Sequence, residues 1–390
     1  MKIPFILVLS ACFIVSATAR TWTDAQGRKI EAMLMRVEGT SVILRMADGR
    51  EVPYPLAKLS EDDRKFAEAN RLPAGAAKST PEKKTGDANF DAPWPDNVKF
   101  SEDPEIKTVE EDAGKKSFVY ESANYRYFCD VRLSQTVVKG FAVLFEATHL
   151  YCRTLPLAID GGQKTDGKYK ISLFEKIEDY HRAGGPAGSA GVFIGGKDAV
   201  LIPLESLGVK PVGSGYMLDR DKSSSTIPHE LTHQLTPDSY FGEGGRGWFT
   251  EGIAEYVGST PYRSGTFSVR GNQRPIIDYV TRYGAKDMGG RALGTEIRMM
   301  NLKKFMLQDY ESFLETPQIS YGCGLLVTFY FLHLDGEGDA KRMKEFLKAL
   351  RSGKRGDAAL ELLLDGRTFE KLEEDFKKAW SRKGVEFTFE

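Results

Sequence analysis

Histidine is scarce in this chain, with 5 in 390 residues, and cysteine is scarcer still, with 4. No two cysteines stand in C-x-x-C spacing, which makes cysteine a poor candidate for a zinc ligand. Charge of one sign is lacking as well. The 54 Lys and Arg face 55 Asp and Glu, for a net charge of −1. Nothing in that balance draws the chain to nucleic acid or to an anionic membrane. Long apolar runs are few. "IPFILVLSACFIVSATA" sits at the N-terminus, and "ISYGCGLLVTFYFLHL" lies far from either end and is interrupted by glycines. Both fall short of the roughly 20 residues that a membrane-spanning helix needs. No internal repeat is evident.

The first apolar run fits an export signal over residues 1–19. Lys2 supplies the positive start, and Ala17-Thr18-Ala19 matches an A-x-A cleavage site. The expected protein is exported, periplasmic or extracellular, and has no transmembrane segment once the signal is removed. A lipoprotein box at Leu9-Ser10-Ala11-Cys12 is the alternative. Cleavage leaves Cys129, Cys152 and Cys323. Their number allows one disulfide, with Cys129–Cys152 the nearest pair, or three buried thiols.

Composition divides the rest into an α+β arrangement of two folded parts. Residues 20–66 carry β-rich runs, "IEAMLMRV" and "SVILRM", punctuated by the turn signals "DAQG", "EGTS" and "ADGR". "LSEDDRKF" reads as a short helix with a serine cap. The stretches "RTWTDAQGRKIEA" and "ADGREVPYPLAKLS" resemble the SLA homology domain, an SH3-like barrel. The resemblance implies a small domain over 20–70 that binds short peptides or other proteins. Residues 71–97 are rich in Pro, Gly, Ala and Lys and read as a flexible linker. From 98 to 390 the pattern is dense. Strands are expected at "EIKTVEE", "KSFVYES", "YRYFCDV", "KYKISLF", "AGVFIG" and "AVLIPL". Helices are expected at 134–155 and "FEKIEDYHRA", and the chain is mainly helical beyond 225, with "ISYGCGLLVTFYFLHL" buried. Val138, Phe141, Phe145, His149 and Cys152 recur at helical spacing, as do Phe369, Leu372, Phe376 and Trp380.

Two of the five histidines fall in "IPHELTHQLT", an H-E-x-x-H motif at His229, Glu230 and His233. A random chain of this composition would show it roughly once in two hundred tries. His149, His181 and His333 lie in settings that read as structural. Ser224 or Ser225 can cap a helix with Pro228 in its first turn, which sets His229 and His233 one turn apart on one face. That spacing brings two imidazoles to one metal, with Glu230 beside it to deprotonate a bound water. Zinc requires a third protein ligand and an open position. Thr236 and Ser239 occupy the places where metzincins carry Gly and His, so that pattern fails. After "GEGGRG" comes "WFTEGIAEYVGS", where Glu251 and Glu255 share a helical face and Gly258 marks the expected helix end.

H-E-x-x-H followed by "WFTEGIAEY" resembles the gluzincin metallopeptidases. The resemblance implies Zn2+ held by His229, His233 and Glu251, with Glu255 orienting the first histidine and Glu230 as general base. It implies a hydrolase acting on peptide or protein substrates, and "AVLIPL" takes the place of the edge strand that meets the substrate backbone. Tyr321 is the candidate oxyanion stabiliser, or else a core-edge tyrosine. No G-x-M-E-N segment is present to hold a free amine, against an aminopeptidase. The alternative is a catalytically weak peptidase-like protein that acts through its N-terminal binding module.

Overall fold

The computed structural model describes residues 20–38, 41–46, 51–69, 88–100, 103–219, 225–243, 245–282 and 290–390. The stretch read as an export signal, Cys12, most of the residues read as a linker, the "ADGR" turn and Ser224 lie outside the described residues. The chain divides into two compact units, 1–87 and 88–390.

In the first unit four antiparallel strands run in sequence order: β1 (Arg20–Thr23), β2 (Lys29–Glu38), β3 (Ser41–Met46) and β4 (Glu51–Pro55). A β-bulge interrupts β2 between Leu34 and Arg36. Asp24 builds the first turn: its Oδ1 accepts from Gln26 N and Arg28 N, and Gly27 takes the positive φ that closes it. Helix α1 (Glu61–Ala69) starts at Ser60, whose Oγ accepts from Asp63 N at 3.2 Å, as "LSED" predicts. Trp22, Val42, Leu44, Leu56 and Leu59 form its core.

The second unit is mixed α+β. Its six-stranded sheet runs β10 (Val192–Ile194), β11 (Ala199–Pro203), β9 (Tyr169–Phe174), β8 (Tyr125–Cys129), β7 (Ser117–Glu121) and β6 (Lys107–Asp112). Strands β8, β9 and β11 are mutually parallel, and the outer pairings are antiparallel. Parallel neighbours need a crossover, which α2 (Gln135–Thr154) supplies between β8 and β9. The Ser134 side chain caps α2 by accepting from Val137 N, and Val138, Phe141, Phe145 and Cys152 face the core; His149 is only partly covered. Helix α3 (Ile177–Arg182) is shorter than "FEKIEDYHRA" predicts, because β9 continues to Phe174. A hairpin, β12 (Val209–Val212) with β13 (Gly215–Leu218), precedes the helical half.

That half comprises α4 (Thr226–Leu235), α5 (Arg246–Ser259), α6 (Gln273–Thr281), α7 (Leu302–Leu307), α8 (Tyr310–Leu314), α9 (Pro317–Phe329), α10 (Lys341–Arg351), α11 (Gly356–Leu364) and α12 (Phe369–Ser381). Short strands β14 (Tyr262–Arg263) and β15 (Thr266–Ser268) join β5 (Asn97–Lys99), and β16 (Glu296–Met299) pairs with β17 (Glu386–Phe389). Helix α9 exposes its first turn, is buried from Ser320 onward apart from half-buried Tyr321, and passes into a π-helical turn at Tyr330–Leu334. No described helix is long and apolar enough to cross a membrane.

Four expectations change. Residues 88–97, read as linker, belong to the second unit. Phe90 is buried there, and the Asn89 side chain bonds Arg153 O, Leu155 O and Ala158 N. Strand β11 is not the sheet edge, since β10 pairs on its outer side. Gly258 does not end α5, which runs through Ser259; a Cβ at Gly258 would stand 2.6 Å from Ser225 O and 3.3 Å from His229 Cβ, so its bareness lets α5 lie against α4. Ser225 stands at the α4 N-cap position, yet its side chain makes no capping bond. Cys129, Cys152 and Cys323 are buried free thiols.

Candidate metal centre

Helix α4 presents His229 and His233 one turn apart, and α5 presents Glu251 against them. Pro228 fits the first turn of α4, where an N–H has no helical acceptor. Thr232 and Thr236 turn their hydroxyls back to the carbonyls of Pro228 and Thr232, which keeps those polar groups satisfied inside the unit. Glycines fix how closely α5 is held. A Cβ at Gly252 would come within 2.4 Å of Gly324 O on α9, and one at Gly247 within 2.6 Å of the Phe313 ring on α8.

Three donor atoms converge. His229 Nε2 and His233 Nε2 are 3.1 Å apart, and each is 3.2 Å from Glu251 Oε2. Ligands at about 2.0–2.1 Å from a tetrahedral zinc stand roughly 3.3 Å from one another, so these edges suit one face of such a tetrahedron. His229, His233 and Glu251 therefore form a group that could hold a metal ion. Two imidazoles and one carboxylate are borderline donors suited to zinc, and cobalt or nickel fit the same set.

Charge supports the fit. Burial opposes protonating His229, but the hydrogen bonds that its ring donates to the Glu251 and Glu255 carboxylates override it and hold its pKa at about 10. Burial likewise opposes ionising Glu255, yet His229 and then Arg291 bring it down to about 2. Glu251 lies well below the usual carboxylate range, because His233 and His229 outweigh its burial. The Glu251 and Glu255 carboxylates thus place negative charge against the two imidazoles where the three donors meet.

Glu255 lies on the far side of the first imidazole: its Oε1 is 3.0 Å from His229 Nδ1. Arg291 clamps that carboxylate through Nε and Nη2, and its guanidinium also lies 4.8 Å from the centre of the Tyr321 ring. Glu230, the next residue along α4, is not in the triangle. Its Oε2 accepts from Phe193 N on β10 at 2.7 Å. Tyr321 stacks on the His229 ring, with centroids 6.0 Å apart and planes 15° from parallel. Burial, with the Glu251 charge, pushes its hydroxyl above the ordinary tyrosine value.

A cleft of about 830 Å3 opens beside the triangle, with Phe193, His233, Phe241, Arg246, Glu251 and Tyr310 among its walls. His149, His181 and His333 stay apart from the triangle. His333 Nε2 is 3.0 Å from Tyr256 OH, and burial pulls the residue to about 4.

Sequence reasoning missed three participants. Tyr310 donates its hydroxyl to Glu251 Oε1 at 2.7 Å across 59 positions of sequence. Arg291 reaches Glu255 across 36. The Phe193 amide holds Glu230 across 37. In the structure Asp309 caps α8, its Oδ1 accepting from Ser312 N, but nothing local in the sequence reveals what the next residue touches. Among curated proteins nothing matches the chain. At the N-terminus, residues 15–72 match a family model, and over that span the chain is similar to SLA1 homology domain 1, SHD1.

Proposed function

We propose that the second unit is a gluzincin-type zinc peptidase, exported to the periplasm or the cell exterior, that hydrolyses peptide bonds of peptide or protein substrates. The observation that carries this reading is the donor triangle of 3.1–3.2 Å edges beside an open cleft. His229, His233 and Glu251 hold the ion. Zinc held there supplies a Lewis acid that polarises a carbonyl and lowers the pKa of water. Glu230 takes a proton from the attacking water and passes it to the leaving amine, so one peptide bond and one water become a carboxylate and an amine. Its bond to Phe193 N orients the carboxylate beneath the edge strand while leaving the second oxygen to move the proton. Tyr321, packed on His229, lends its hydroxyl to the developing oxyanion.

The test compares wild type with Glu230→Gln on a diverse peptide library, with zinc measured in both. Full zinc in each, with cleavage falling at least about 10²-fold in the variant, is the expected result. Equal cleavage by both would remove Glu230 as the base. A fully zinc-loaded wild type that cuts nothing would favour the second reading, in which the protein acts by binding. That reading draws support from a groove of about 240 Å3 on the first unit, lined by Trp22, Asp24, Arg28, Lys29 and Tyr54.

A further inference from the structure

Glu251 has two carboxylate oxygens, and the structure uses them differently. Oε2 faces both imidazoles at 3.2 Å, whereas Oε1 accepts the Tyr310 hydroxyl at 2.7 Å. A carboxylate next to a divalent ion can offer one oxygen or both, and the choice sets the coordination number. We infer that Tyr310 is a positioning residue: its hydroxyl holds Glu251 Oε1 aside, so that Glu251 gives the metal a single oxygen and one coordination position stays open to the cleft.

The surroundings of Tyr310 fit that task. As a residue it is 48% exposed, yet its hydroxyl reaches a carboxylate on a buried helix. Its place is fixed from two sides. Asp309 caps α8 through Ser312 N, and the Tyr310 ring lies parallel to that of Phe313, at 7° and 6.3 Å. Phe313 packs against the bare Cα of Gly247, on the same helix as Glu251. Arg246, at the start of that helix, donates Nη1 to Leu307 O at 2.7 Å and so ties α5 to the segment leading into Tyr310. Arg246 adopts φ +51°, a left-handed conformation that is strained for any residue with a side chain. The turn before α8 and the first turn of α5 are thus braced against each other, and the Tyr310–Glu251 bond spans the brace.

This inference rests on the metal reading above, and the experiment separates the two. Full-length wild type and Tyr310→Phe are stripped of metal and titrated with Co2+, which takes zinc sites and reports coordination number through its visible absorption. Four-coordinate cobalt absorbs strongly, and five-coordinate cobalt markedly less. Phe keeps the ring and its packing on Phe313, and a thermal melt of the metal-free proteins verifies the fold. Wild type should show the strong band at one equivalent. Tyr310→Phe should show a weaker band, with zinc affinity lowered by about tenfold or more in a chelator competition. An identical spectrum and affinity in the variant would overturn the inference and leave the metal site standing. A wild type that takes up neither cobalt nor zinc would overturn both.

Discussion

Gly252→Ala is a sharp test of how the centre is built, because elementary rules give it opposing contributions. In a helix interior, Ala is favoured over Gly by about 1 kcal/mol. At this position, however, the added Cβ would lie 2.2 Å from Thr328 Oγ1, 2.4 Å from Gly324 O and 2.8 Å from Gly324 C. The hydroxyl can rotate, but the α9 backbone cannot. A carbon and a carbonyl oxygen settle no closer than about 3.3 Å, so α5 and α9 must separate by nearly 1 Å. Overpacking of that kind costs about 1–3 kcal/mol and outweighs the propensity gain. Glu251 is the neighbouring residue, so the same displacement opens a triangle whose edges are only 3.1–3.2 Å. Gly140→Ala on α2 is the matched control. Its Cβ meets only the end of the Leu218 side chain, which can swing aside, so the variant should equal or slightly exceed wild type. Urea unfolding of the three proteins, with zinc content measured in each, decides the matter. Gly252→Ala should lose about 1–2 kcal/mol and bind zinc at least tenfold more weakly. A Gly252→Ala protein as stable as wild type, with full zinc, would refute the close-approach argument.

Arg291→Gln removes the clamp on Glu255 while leaving every proposed ligand in place, and should weaken zinc binding by about 10–100-fold in a chelator competition; unchanged affinity would make that ion pair purely structural. Burial pushes the thiols of Cys129, Cys152 and Cys323 up to about 12, so a thiol reagent at pH 8 should find all three silent in the native protein and reactive in denaturant. Burial, with Arg153 and Lys164 adding to it, holds His149 at about 3 against 6.5 in the unfolded chain. Below 6.5 the unfolded state therefore takes up a proton that the fold refuses, and stability falls as pH drops from about 6.5 toward 3, by up to about 1.4 kcal/mol per pH unit. His149→Phe should lose less stability than wild type between pH 6.5 and 4.5 in urea melts, and equal losses would mean that this imidazole does protonate in the fold.

What could be read from sequence was whatever one helix or one turn encodes. His229 and His233 are four apart, as are Glu251 and Glu255, so helical geometry alone brings each pair to one face. Ser134 and Ser60 announce their helices because a cap acts within three residues. The failures share a cause. Which of two apolar runs is the sheet edge depends on pairing: "AGVFIG" and "AVLIPL" look alike until β10 is seen hydrogen-bonded outside β11. Gly258 carries the usual stop signal, and only the presence of α4 shows that its bareness serves packing. Residues 88–97 have the composition of a linker, yet Asn89, Phe90 and Trp94 anchor them through partners more than 60 positions away. Tyr310 and Arg291 reach the centre through tertiary structure, to which local periodicity is blind.

Strand β10 has a consequence for solubility. An unpaired sheet edge is a template on which a second chain can add a strand, and that hazard grows with the edge's length and flatness. Here the edge is three residues long, its central amide is already bound to Glu230, and it ends in a tight turn where Asp198 takes a left-handed conformation. An apolar segment that stacked there would strip water from a carboxylate beneath the strand, and that desolvation opposes stacking. The contact that orients Glu230 thus also blunts the strand against self-association, and replacing Glu230 by an apolar residue would free a backbone donor and remove a charge at the same edge.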